Sequence, residues 1–142
     1  MLLVDANVLL YAVNEDAPRH QQARTWLTEQ LGGGEPVGFA WIALLAFLRI
    51  STLPGMSPRP LPVRDALDVV TDWLAAPSGT TVVPTARHPA ILRGLLLEAG
   101  TAGNLTSDAH LAALAIEHGA TICTYDRDFD RFPGVRWRMP KS

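Results

Sequence analysis

Three aspartates, Asp5, Asp108 and Asp126, stand where the local pattern turns from one element into the next. Asp5 closes the apolar run Leu2-Leu3-Val4, and Asp126 follows the β-branched run ending at Thr124. Asp108 sits in the first turn of a segment opened by Thr106-Ser107. In an open parallel sheet, ligands gather beyond the carboxyl ends of the strands, so acids at such positions converge on one rim. Crowded carboxylates raise one another's pKa and are stable at neutral pH only when protons or a cation offset them. Oxygen donors alone favour Mg2+ or Mn2+, which keeps several waters and takes up substrate phosphate. The chemistry this predicts is metal-assisted cleavage of a phosphodiester, with no need for a protein nucleophile.

Each acid also has a structural role open to it. Asp5 can cap the helix that follows, Asp108 can be a favourable charge at a helix start, and Asp126 with Asp128 and Asp130 can form a polar turn. His110 and His118 have no cysteine or second histidine at zinc spacing and are expected to be helix-surface or core residues. Cys123 is expected to be a buried strand residue without chemistry.

The elements that position the acids follow from periodicity. Leu2–Val4 reads as a buried strand and Asn7–Val13 as a short helix. Pro18 is placed to open a helix carrying Ala23, Trp26, Leu27 and Leu31, which stops at Gly32-Gly33-Gly34. Pro36–Phe39 reads as a strand and Trp41–Ile50 as a helix apolar on nearly every side. Pro54–Pro62 holds four prolines and a glycine and must be an exposed loop. Asp65–Ala76, Pro89–Ala99 and a segment capped by Thr106 or Ser107 and ending at His118-Gly119 are predicted helices. Thr80–Val83, Ala120–Thr124 and Val135–Arg138 are predicted strands. Alternating strands and helices imply a mainly parallel sheet, an α/β fold with helices on both faces in three layers.

The chain has 142 residues, one domain's worth, and residues 1–142 are read as a single domain. With 48% hydrophobic and 18% charged residues it fits neither a disordered tail nor a solvated coiled coil. A single cysteine excludes an internal disulfide and agrees with a reducing, cytoplasmic setting. The N-terminus is a poor secretory signal, and Val37–Leu48, the longest nearly uncharged stretch, is too short to span a membrane. Twelve basic against fourteen acidic residues leave a net charge of −2, so a nucleic acid must be engaged locally rather than by bulk charge.

Three stretches in order, Leu3-Val4-Asp5-Ala6-Asn7-Val8-Leu9-Leu10-Tyr11, Thr106-Ser107-Asp108-Ala109-His110-Leu111-Ala112-Ala113-Leu114-Ala115 and Thr121-Ile122-Cys123-Thr124-Tyr125-Asp126-Arg127-Asp128-Phe129, resemble the PIN-domain family, in particular its VapC-type toxins. The resemblance spans almost the whole chain, through Phe132-Pro133-Gly134-Val135. It implies a three-layer α/β/α sandwich and a Mg2+- or Mn2+-dependent endoribonuclease leaving 5′-phosphate and 3′-hydroxyl ends. It also implies a homodimer, held inactive by a VapB-type antitoxin whose C-terminal segment occupies the toxin groove. By match to the family pattern, Asp5, Asp108 and Asp126 are the catalytic, metal-holding acids and Asp128 is a further metal ligand. Asn7 and Thr124 match positions that orient the site.

One departure matters. The family commonly carries a glutamate in the helix after the second strand, three residues before a basic residue. Counting back from Arg49 gives Ala46, and Trp41–Leu48 contains no acid. The expectation is weaker metal binding or one well-held ion, with Asp128 as a substitute donor. For RNA contact, Arg127, Arg131, Arg136, Arg138 and Lys141 place five of the twelve basic residues in the last sixteen positions, where a solvated tail is the competing reading.

Other classes fit less well. A haloacid-dehalogenase-type phosphatase needs a second acid two positions after the first, where this chain has Asn7. A receiver-like phospho-acceptor needs a late lysine, and Lys141 in the tail is the sole lysine. A catalytically silent relative serving as an antitoxin-binding module stays open because of Ala46.

Overall fold

The computed structural model describes residues 1–141; Ser142, the last residue of the expected domain, lies outside the described residues. Five strands, β1 (Leu2–Val4), β2 (Val37–Ala40), β3 (Gly79–Val82), β4 (Thr121–Cys123) and β5 (Trp137–Arg138), form one sheet in the order β3-β2-β1-β4-β5. Every pairing is parallel. Six helices connect and cover it: α1 (Ala6–Val13), α2 (His20–Leu31), α3 (Trp41–Thr52), α4 (Val63–Ala75), α5 (His88–Ala99) and α6 (Thr106–His118). None of the helices is long and apolar enough to cross a membrane.

Alternation along the strands divides the core in two, because successive side chains point to opposite faces. Leu2, Val4 and Cys123 pack with residues of α1, α2, α3 and α4. Leu3 and Ile122 pack with Val82, Leu95 and the alanine-rich face of α6. Both faces of the sheet are therefore covered, as a parallel sheet requires.

The strand order makes the site. From β1 the chain proceeds to β2 and β3 on one side, then returns to lay β4 on the other side of β1. At such a reversal the connections diverge and leave a crevice beyond the carboxyl ends of the two central strands. The register Val4↔Cys123 brings Asp5 and Thr124, the next residues, to that crevice together, and the Asp5 amide donates to the Cys123 carbonyl at 3.0 Å.

Two expected boundaries shift for local reasons. The second helix begins at His20 rather than Pro18, because Ala17 and His20 amides close successive turns on Asn14 and Ala17 carbonyls. Neither Thr106 nor Ser107 caps α6: the Thr106 hydroxyl instead donates to the Gly103 carbonyl at 2.8 Å, and Leu105 occupies the cap position. The glycine stops hold, with Gly100 at φ 79 and Gly119 at φ 62 ending α5 and α6 in the left-handed region that glycine enters freely.

Candidate active site

The β1–α1 junction and the end of β4 are tied by a network around Thr124, which is fully buried. Its hydroxyl donates to Asp5 Oδ2 at 2.8 Å and accepts from Asn7 Nδ2 at 3.0 Å and from the Asp126 amide at 2.9 Å. Asn7 Oδ1 accepts from the Tyr125 amide at 3.1 Å, and Asn7 Nδ2 also lies 3.4 Å from Asp5 Oδ2. Asn7 and Thr124, the two residues expected to orient the site, thus hydrogen-bond to each other, to Asp5 and to the backbone of Tyr125 and Asp126.

Asp5 and Asp126 carry their structural roles as well. Asp5 Oδ1 accepts from the Ala6 amide at 2.8 Å and caps α1, and Asp126 Oδ1 accepts from the Asp128 amide at 2.8 Å to open the short 3-10 turn Arg127–Arg131. A carboxylate offers about four lone-pair sites, so these bonds hold the groups in place without exhausting them. Asp108, half-buried in the first turn of α6, accepts no hydrogen bond among the described residues.

Electrostatics join the acids from distant parts of the chain. Asp108 is pushed up to about 6, first by burial and then by the negative charges of Asp5, Asp126 and Asp128, with Arg131 pulling the other way. Burial also lifts the Asp5 carboxyl above its ordinary value, opposed by the Thr124 and Ala6 hydrogen bonds and reinforced by Asp126. The charges of Asp5, Asp126 and Asp128 are thus felt by Asp108. Among the described residues, however, no three acidic, histidine or cysteine side chains stand close enough to enclose a cation unaided.

The basic residues divide. Arg131 reaches the carboxylate field, Arg127 is exposed in the turn after Asp126, and Arg136 donates to the Gly119 carbonyl at 2.9 Å beyond the end of α6. His118 bonds the Val83 carbonyl at 2.7 Å, and His110 Nδ1 meets His88 Nε2 at 3.0 Å, so neither histidine is directed at the acids. Burial raises the Cys123 thiol to about 11, which leaves it protonated and inert.

Tyr125 escaped the sequence reading as a site residue. Its ring lies against Tyr11 with centroids 5.4 Å apart, its hydroxyl donates to Gln22 at 2.9 Å, and the Arg19 guanidinium sits 4.6 Å above it. The only signal in the sequence was its position between Thr124 and Asp126.

Fold and site together define a parallel α/β/α domain with oriented carboxylates at its strand-order reversal. The chain belongs to the PIN-domain family, whose model matches residues 2–135. Ribonuclease VapC37 of Mycobacterium tuberculosis is 56% identical over 142 residues, covering 100% of this chain and 99% of that protein. Likeness in fold extends to VapBC2 from Rickettsia felis, solved on a promoter DNA fragment, with TM-score 0.71, 17% identity and 97% of each chain covered. It extends also to VapC20 of Mycobacterium tuberculosis, described as a sarcin-ricin loop cleaving toxin, with TM-score 0.69, 17% identity and coverage of 96% of this chain and 99% of that one.

Proposed function

We propose that this chain is a VapC-type toxin, an endoribonuclease that hydrolyses RNA phosphodiester bonds and is neutralised by a VapB-type antitoxin. The observation that carries the reading is the Thr124-centred network that fixes Asp5 and the Asp126 backbone together at the strand ends, with the Asp108 carboxyl raised first by burial and then by the charges of Asp5, Asp126 and Asp128. Carboxylates that burden one another in this way gain from a divalent cation. The 56%-identical full-length relative named a ribonuclease supports the same reading.

Mg2+ or Mn2+ fits the donor chemistry, which is all oxygen; with no three of these side chains close enough to enclose a cation, Asp5, Asp108, Asp126 and Asp128 would hold it partly through water, as Mg2+ commonly is held. Bound there, it would offset the carboxylate charge, polarise a phosphoryl oxygen and lower the pKa of water. The chain's own contribution is positional. Thr124 and the Ala6 amide keep Asp5 in one orientation, the Asp128 amide does the same for Asp126, and Asp108 is carried half-buried on the first turn of α6. Arg131 moderates the negative field that would otherwise repel a phosphate.

Support for a peptide partner comes from a cavity of about 380 Å³ between α1, the end of α3 and the proline-rich loop, lined by Leu10, Tyr11, Ile50, Met56 and Leu61. It is apolar enough to receive side chains of an antitoxin segment. A homodimer belongs to the same reading: Trp41 and Leu45, 46% and 58% exposed, give α3 an apolar stripe suited to self-association. Sedimentation of the purified chain tests the dimer.

A second reading, a catalytically weak module that chiefly binds its antitoxin, rests on the absence of any acid from Trp41–Leu48. One assay separates the two. The purified chain is incubated with structured and single-stranded RNA, with Mg2+, Mn2+ or chelator, beside Asp5→Ala. Cleavage that requires the cation and Asp5 establishes the nuclease; antitoxin binding with no cation-dependent cleavage establishes the module.

A further inference from the structure

The net charge of −2 and the acidic rim both repel an RNA backbone, so a strand must be met by individual cations beside the carboxylates. Most arginines with a visible partner have already committed their charge or their donors. Arg59 pairs with Asp16 at 2.9 Å, Arg87 donates to the Glu117 carbonyl at 2.6 Å and Arg136 to the Gly119 carbonyl. Arg19, like several other exposed arginines, forms no ion pair and donates no hydrogen bond among the described residues; what sets it apart is its guanidinium, which lies 4.6 Å from the centroid of the Tyr125 ring.

That face is rigidly referenced to the acids. The Tyr125 amide is bonded to Asn7, which in turn bonds Thr124; its hydroxyl is bonded to Gln22; and its ring abuts Tyr11. A guanidinium lying on an aromatic ring keeps its N–H edges outward and loses little rotamer freedom when those edges engage an anion. Tyr125 immediately precedes Asp126 in the chain, and the charge of Arg131 is felt by Asp108, so Arg19 and Arg131 are the cations tied to the neighbourhood of the acids.

We propose that Arg19, mounted on Tyr125, is a positioning residue that binds a backbone phosphate of the RNA strand next to the acidic rim. The inference rests on the ribonuclease reading for its substrate but not for its test. Arg19 contributes affinity and register, independent of base identity, and takes no part in the chemical step.

The test is anisotropy titration of labelled single-stranded RNA oligomers of two unrelated sequences against the full chain. Chelator is present to prevent cleavage, and KCl runs from about 50 to 200 mM, the range over which phosphate contacts are most visible. Arg19→Ala is expected to weaken binding about fivefold for both sequences and to reduce the slope of log affinity against log salt by about one. Arg19→Lys keeps the slope, because the charge remains. Tyr125→Leu weakens binding like Arg19→Ala, whereas Tyr125→Phe retains the ring and the affinity. With Mg2+ present, Arg19→Ala raises KM and leaves kcat within about twofold, the pattern of lost uniform binding.

Unchanged affinity and salt slope in Arg19→Ala overturn the proposal, as does a lower kcat at unchanged affinity, which is what a merely structural loop role gives. A loss confined to one RNA sequence also overturns it. If the chain binds RNA but never cleaves it, the nuclease reading fails while the Arg19 slope still decides this proposal. If it binds no RNA at all, both fall.

Discussion

Thr124 donates its hydroxyl proton to Asp5 Oδ2 at 2.8 Å, joining residues 119 positions apart in the chain. Because the same oxygen accepts from Asn7 and from the Asp126 amide, one buried hydroxyl sets the relative placement of two of the acids. Thr124→Val preserves shape and removes all three bonds. Leaving Asn7 and the Asp126 amide without their partner is expected to cost about 1–3 kcal/mol of stability in a urea titration. Misorienting the acids should lower kcat by about 10–100-fold, the usual effect of losing a ligand-orienting bond. Thr124→Ser should recover most of both; a Val variant with full kcat removes Thr124 from the site.

Asp108 makes the stability of the cation-free protein depend on pH in a definite direction. Its folded-state pKa, about 6, lies above the ordinary 3.8, so the folded state binds the proton more tightly than the unfolded chain. This contribution is fully present below about 3.8 and is lost as pH rises through about 6. Asp108→Asn should therefore raise Tm at pH 7 by a few degrees, corresponding to about 1 kcal/mol after allowance for its solvent exposure. Mn2+ should stabilise the parent protein and leave Asp108→Asn nearly unmoved. Equal Tm values for the two proteins in chelator would contradict the shared carboxylate field.

The strands and the acids were legible because both are local. Leu2-Leu3-Val4 followed by Asp5, and Ile122-Cys123-Thr124 followed by Asp126, announce a buried strand meeting a polar rim within five residues. Asp108 was legible as an acid in the first turn of α6, although the cap itself was misplaced, since a threonine hydroxyl has a backbone carbonyl at Gly103 as an equal alternative. What sequence spacing does not encode is pairing across the fold. Arg19 meets Tyr125 because the segment after β4 lays Tyr125 against Tyr11 of α1 and Gln22 of α2, and His88 meets Glu117 because α5 packs on α6. The last strand, expected over Val135–Arg138, shrinks to Trp137–Arg138 because an edge strand can pair only with β4, whose two partners there are Ile122 and Cys123.

Glu117 centres a buried polar cluster away from the site. Its side chain is fully buried and accepts from the Thr85 amide at 2.8 Å, from the Thr85 hydroxyl at 2.6 Å and from His88 Nδ1. Burial works to raise its pKa, but the hydrogen bonds from Thr85 and His88 outweigh it and hold Glu117 below the ordinary glutamate value. Its stabilisation is accordingly present above the unfolded-state pKa and lost as pH falls through the lower folded-state one. Glu117→Ala leaves three donors without their partner, the buried His88 Nδ1 and the part-buried amide and hydroxyl of Thr85, and is expected to cost about 1–3 kcal/mol. Chemical denaturation at pH 7 measures it, and a loss under about 1 kcal/mol would mean that water replaces the carboxylate.

Asp128 is the acid expected to answer for the glutamate absent from α3. Its charge is among those that raise Asp108, and its own amide, not its side chain, holds Asp126 Oδ1. Asp128→Ala therefore removes a carboxylate while leaving the backbone bond that orients Asp126 available. If that carboxylate is a metal donor in place of the acid absent at Ala46, Mn2+ affinity measured by calorimetry should fall about tenfold or more. Tm in chelator should rise slightly, since one source of repulsion on Asp108 is gone. An Mn2+ titration identical to that of the parent would assign Asp128 to the turn alone and leave Asp5, Asp108 and Asp126 as the complete donor set.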